Sequence, residues 1–200
     1  MEIDGEVSDV PYVTHVTTEN GSIASRFFIE NDLWRERVIF KYNPKALRSV
    51  EVRHFNDTVG SFQVTHLGEG KFEIKNYETG EVFPLSSGQG IGYFNNFAGG
   101  FYEYIDHDTP KNTMDSIYLS PPRTILTIVD TNGESLVLKS FFMPVKEGAT
   151  DYAGNPVNYN PERMYVKSSK SDLNMVVQNY TYDEITPGFE DFELSTNVEK

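Results

Sequence analysis

From position 49 to 76 apolar and polar residues alternate with a period of two: Val50 and Val52, then Phe62 and Val64, then Phe72 and Ile74, the last pair interleaved with Lys71, Glu73 and Lys75. A strand sends successive side chains to opposite faces, so this alternation predicts half-buried strands with one packed and one wet face. The clusters Asn56-Asp57-Thr58-Val59-Gly60, Gly68-Glu69-Gly70 and Thr79-Gly80 separate them at the short spacing of a meander. Just upstream, Asn43-Pro44-Lys45-Ala46-Leu47 carries a capping residue followed by proline at the first helical position. It predicts a single helical turn ahead of the first strand.

The second half repeats the theme. Runs at 124–129 and 135–142 flank Asp130-Thr131-Asn132-Gly133-Glu134, whose Asn-Gly pair takes the left-handed conformations of a tight hairpin. Segments 163–167 and 173–180 predict a further strand pair, with a short closing helix at 182–185 before Pro187-Gly188. Between the halves, Ile91, Phe94, Ala98, Phe101 and Ile105 fall on one helical stripe, although Gly88, Gly90, Gly92, Gly99 and Gly100 each cost about 1 kcal/mol in a helix. The stripe predicts a helix over 91–105. The stretch 146–162 is long for a connection in a compact domain, and Tyr152, Asn155, Asn158, Tyr159 and Asn160 favour an ordered loop.

The pattern predicts an α+β class, mainly antiparallel β-sheet built of meander and hairpins with one or two short helices. One β-rich domain would span 11–192, with two similar halves at 11–105 and 120–192. The acidic 1–10 and polar 193–200 read as flexible ends.

Composition narrows the function classes. A chain of 200 residues can bury roughly 70% of the surface its unfolded form exposes. With 14 Phe and 12 Tyr, its core should be rich in rings. The net charge of -13, from 30 acidic against 17 basic residues, disfavours nucleic acid and anionic lipid as partners. Absence of cysteine excludes disulfides, thiol nucleophiles, iron–sulfur clusters and the usual structural zinc sites. The opening Met1-Glu2-Ile3-Asp4-Gly5-Glu6 has no basic start and apolar run, and no stretch of about 18 apolar residues occurs. Two settings fit that opening: a cytosolic protein, or a domain whose export or anchor segment lies outside these residues.

Candidate chemistry is sparse. Of His15, His54, His66 and His107, the middle two continue the inward alternation of their strands, so pairing would let their rings approach each other. Glu103, Asp106, His107 and Asp108 are the densest polar cluster, and such oxygens with an imidazole could hold a hard cation, but the Gly-punctuated ladder of a calcium loop is missing. In Gly88-Gln89-Gly90-Ile91-Gly92 the spacing fits neither phosphate-binding fingerprint, so a flexible connection into the helix is the simpler reading. No Gly-x-Ser-x-Gly elbow anchors a catalytic triad. Sequons stand at Asn20, Asn56 and Asn179. Trp34 beside Arg35 and Arg37 packs under a strand or forms an exposed recognition patch.

The stretch Arg26-Phe27-Phe28, then Asp32-Leu33-Trp34-Arg35-Glu36-Arg37-Val38-Ile39-Phe40, Tyr42-Asn43-Pro44 and Leu47-Arg48-Ser49-Val50-Glu51-Val52 resembles the domain of unknown function 4340 family of Gram-negative envelope proteins. Tyr93-Phe94-Asn95-Asn96-Phe97 is similar to that family's Tyr-Phe-x-x-Phe helix. Gly154-Asn155-Pro156 leading to Arg163-Met164-Tyr165 is similar to its Gly-Asn-Pro loop and Arg-x-Tyr strand. Val176-Val177-Gln178-Asn179-Tyr180, followed by Phe189 and Phe192, resembles its Gln-containing last strand. The resemblance implies a periplasmic domain of the cell envelope, membrane-anchored through an N-terminal lipid or helix, beside gliding-type ABC transporter components. It carries no catalytic residues. Asn160-Pro161-Glu162-Arg163 departs from the more acidic run the family pattern has there.

The sequence therefore suggests a non-enzymatic domain that binds an envelope protein partner through strand edges and the long loop, with no cofactor, no nucleic acid and membrane contact only through the anchor. Its candidate binding residues are Trp34, Arg35, Arg37, Tyr152, Asn155, Tyr159 and Arg163. A carbohydrate- or small-ligand-binding module is the alternative, since Tyr, Trp and Asn suit sugar faces and hydroxyls. A third reading is a hydrolase using Glu103, Asp106 or Asp108 with His107, and Asp106, His107 and Asp108 are the weak metal candidates.

Overall fold

Alternating side chains and short turns generate two β-meanders in the computed structural model, which describes residues 2–3, 6–7, 35–55 and 60–192. The chain divides into two units, residues 1–36 and 37–200. In the first, β1 (Glu2–Ile3) and β2 (Glu6–Val7) pair antiparallel. Apart from these strands, the ends expected to be flexible at 1–10 and 193–200 lie outside the described residues, as do Trp34, His15 and the sequons at Asn20 and Asn56.

The second unit opens with β3 (Val38–Phe40) and the turn Pro44–Ala46, where the Asn43 side chain accepts from the Lys45 N–H as the sequence predicts. Then come β4 (Leu47–His54), β5 (Phe62–Gly68), β6 (Lys71–Asn76), β7 (Val82–Leu85) and helix α1 (Ser87–Asn95). Two short strands, β8 (Gly100–Phe101) and β9 (Tyr104–Ile105), lead to α2 (Lys111–Leu119). β10 (Thr124–Asp130), β11 (Ser135–Pro144), β12 (Tyr159–Ser168), β13 (Ser171–Gln178) and α3 (Asn179–Asp183) complete it.

Nine strands form one open, mainly antiparallel sheet in the order β7-β6-β5-β4-β10-β11-β12-β13-β9. β4 lies against β10, with Val52 opposite Leu126 and Val50 opposite Ile128. From that shared centre one meander runs outward through β5, β6 and β7, the other through β11, β12 and β13. Each ends in a helix, and α1 and the segment after α3 meet on the same face, where the Tyr93 hydroxyl donates to the Ile185 carbonyl at 3.0 Å. The fold is thus α+β with a dominant antiparallel sheet.

Burial follows the alternation. Val50, Val52, Val64, Ile74, Leu126, Ile128, Leu138 and Val166 are completely buried on one face under Tyr93, Phe94 and Phe97, and the core is as ring-rich as the composition implies. On the other face the described residues cover only the second meander: Met114, Ile117 and Tyr118 of α2 pack on Phe141, Tyr165 and Val176. Over the first meander that face carries polar groups, with Arg53 bonded to Glu51 at 2.9 Å and set over the Tyr77 ring. No helix among the described residues is long and apolar enough to cross a membrane.

Three expectations are corrected. The helix predicted over 91–105 is instead α1, ending at Asn95, followed by two strands. A Cβ on Gly100 would sit 2.3 Å from the Phe40 ring, so this glycine lets β8 press against β3. Phe101, on the supposed buried stripe, is 60% exposed, whereas Phe97 and Tyr102 are buried. Secondly, the glycine run 88–92 is the body of α1 rather than a connection into it. Thirdly, His54 and His66 do not meet. Pairing of Val50 with Val64 puts them at opposite ends of the β4–β5 ladder, roughly 20 Å apart at the rise of a strand.

The 146–162 stretch is ordered. Thr150 bridges to Pro156, the Asp151 carboxylate accepts the Ala153 and Asn155 N–H groups at 2.9 and 2.8 Å, and β12 begins at Tyr159.

Candidate functional site

One apolar groove stands out on the inner face, at the outer end of the first meander. Its floor comes from the β5–β6 hairpin. The turn Gly68-Glu69-Gly70 has all three residues at positive φ, 94°, 52° and 71°, and sets His66 directly opposite Phe72. Their rings stack at 4.7 Å and 16°, and Phe94 of α1 meets Phe72 edge-on at 5.3 Å. Gly90 allows this contact, because a Cβ there would lie 2.2 Å from the Phe72 ring carbon Cγ.

α1 is fastened over the hairpin at its start. Ser86 caps it by accepting from the Gln89 N–H, and the Ser87 hydroxyl donates to the Gly70 carbonyl at 2.5 Å. The helix then exposes Ile91, 49% accessible, as one wall, and the Pro44 turn supplies the opposite wall. The groove's volume is about 430 Å³, with the exposed Asn43, Lys45, Glu69 and Asn95 completing its lining. Small-molecule sites commonly enclose roughly 300–1,000 Å³ behind apolar walls with few polar groups, and this groove has that character. A larger but more open cleft of about 540 Å³ lies between α2 and the ends of β11 and β12, and includes Tyr159.

The residues singled out from sequence fall elsewhere. Arg37 and Arg163 converge on Glu103: Arg37 donates to its backbone carbonyl at 2.9 Å, and Arg163 grips its carboxylate with Nε and Nη2, both at 2.8 Å. Those bonds from Arg163 hold the Glu103 carboxyl below its ordinary range. Glu162 extends the chain, bonding Arg163 at 3.2 Å and accepting from the Tyr152 hydroxyl at 2.6 Å. Asn155 is spent inside its loop on Asp151, and Tyr159 stacks on Phe142 at 4.7 Å. Arg35 is exposed, and Trp34 lies outside the described residues.

The acidic cluster at 103–108 is tied into the fold by hydrogen bonds. Asp106 accepts from the Asp108 and Thr109 N–H groups, the Thr109 hydroxyl and the Tyr165 hydroxyl, so its oxygens are already engaged. Burial works against its charge, but these donors outweigh it and keep the carboxyl low, while burial and Asp106 together push the Tyr165 hydroxyl up to about 12. Among the described residues no group of three or more His, Asp or Glu side chains is placed to hold a metal ion.

Sequence reasoning assigned His66, Phe72 and Phe94 to structure and Ile91 to a helical stripe. A signal was present: residues flanking a Gly-x-Gly hairpin turn face each other, and a histidine there opposes a ring. Both ends of the sheet are poor templates for an added strand, since β7 carries Pro84, which lacks an N–H, and β9 is two residues long. Compared with known proteins, the chain matches no family model, no curated protein and no solved structure.

Proposed function

We propose that this chain is a non-enzymatic binding domain whose recognition site is the groove between the β5–β6 hairpin, α1 and the Pro44 turn. The observation that carries this reading is an apolar hollow of about 430 Å³ in which the His66 imidazole lies among Phe72, Phe94 and Ile91 without a hydrogen-bond partner among the described residues. An apolar surface of this kind gains free energy when a ligand displaces its water. The blunted sheet ends favour such a ligand over a partner strand. Envelope residence, beside a transporter-type assembly, is supported by the resemblance over roughly residues 11–192 and is part of the same proposal.

The test is a ligand-observed NMR screen of small apolar compounds against the whole chain. Hits should compete for one site and shift the amides of His66, Ile91 and Phe94. Ile91→Asp, at a half-exposed position, should abolish them without changing the thermal midpoint. Hits that bind Ile91→Asp undiminished, or that leave those amides unmoved, would place recognition elsewhere.

A further inference from the structure

The groove's walls are hydrocarbon and ring, and its polar lining sets Lys45, Asn43 and Asn95 beside one carboxylate, Glu69. Lys45 is exposed there and has no ion-pair partner among the described residues, whereas Glu69 already faces the Lys71 ammonium at 3.7 Å. The Asn43 side-chain oxygen is engaged by the Lys45 N–H, which leaves its amide N–H₂ to donate, and Asn95 adds a second amide. In a chain with 30 acidic and 17 basic residues, an ammonium at an apolar hollow with no ion-pair partner among the described residues runs against the sign of the overall charge.

We infer that the ligand is an amphipathic carboxylate, with a hydrocarbon chain or ring against Phe72, Ile91 and Phe94 and its anionic end at Lys45. A cationic head would meet the Lys45 ammonium and would share the exposed Glu69 carboxylate with Lys71. A neutral head would gain no ion pair. This rests on the groove being the binding site, and the ligands below separate the two claims.

Decanoate and decanol share a chain and differ at the head. Calorimetric titration of the whole protein should find decanoate binding about fivefold more tightly than decanol, the scale of one partly exposed ion pair. The preference should shrink at high salt and vanish in Lys45→Ala, an exposed substitution that keeps the thermal midpoint. Amide shifts for both ligands should centre on His66, Ile91 and Phe94. Equal affinity for the two, unchanged in Lys45→Ala, would overturn the carboxylate assignment and leave the groove standing. Failure of both ligands to shift those amides would overturn the groove as well.

Discussion

Gly90 and Gly92 stand two residues apart on α1 and should respond in opposite directions to the same substitution. A Cβ on Gly90 would collide with Phe72 at 2.2 Å, while one on Gly92 meets nothing within 4 Å. Gly92→Ala should therefore stabilise the protein by about 0.5–1 kcal/mol through helix propensity. Gly90→Ala gains the same propensity but must push α1 off the sheet, and should lose about 2 kcal/mol net. Urea denaturation of the two variants checks this, and a Gly90→Ala protein as stable as its parent would mean the helix does not rest on Phe72. Glycine content alone could only be read as a cost to the helix, because the ring that requires Gly90 lies 18 residues away in sequence. A second residue-scale prediction concerns pH. The folded Glu103 carboxyl titrates below its ordinary value of 4.5 because Arg163 binds it. The pair thus contributes above that ordinary value and is lost as pH falls through the lower folded one. Glu103→Gln should cost about 1 kcal/mol at neutral pH, given side chains near 30% exposed, and progressively less as pH falls below the ordinary carboxyl value. An undiminished gap at low pH would assign the loss to packing instead.

At the scale of elements, what was legible in the sequence is what local periodicity and turn chemistry determine. β4, β5, β6 and the hairpin at Asn132-Gly133 sit where alternation and glycine put them, although only Gly133, at φ 86°, and not Asn132, takes the left-handed conformation expected of the pair. Elements defined by distant partners were not legible. α2 went unpredicted although Met114, Ile117 and Tyr118 stand at i, i+3 and i+4, because the stripe is one turn long and lies among polar residues just after Pro110. β8 and β9 are two residues each and exist only because Val38 and Met175 are there to pair with them. The groove shares this origin. Its floor was present in the Gly68-Glu69-Gly70 turn, but its walls come from α1 and the Pro44 turn, which sequence spacing does not bring together.

Across the second unit, the two outward-running meanders share one core rather than owning one each. β4 and β10 form a continuous ladder from Thr124 opposite His54 to Val129 opposite Ser49, and the buried cluster under it draws on Val50 and Val52 as well as Leu126 and Ile128. Chain order ties the halves further, because β9 precedes α2 yet pairs with β13 at the far edge, Ile105 opposite Met175. After α3 the chain returns to the first meander: the Phe189 N–H donates to the Gly60 carbonyl at 2.9 Å, and Phe192 packs edge-on against Phe62 at 4.9 Å. Cutting between the halves would strip apolar surface from both, and neither would bury enough to offset its own chain entropy. Residues 37–200 should consequently unfold in one cooperative step. Tryptophan reporters placed at Phe83 and at Phe142, one in each meander, should give coincident urea transitions. Fragments severed near Asp108 should be unfolded singly and regain sheet structure by circular dichroism only when mixed. Separate transitions for the two reporters, or a folded isolated fragment, would show that the halves are independent units and that the β4–β10 seam is an interface rather than a core.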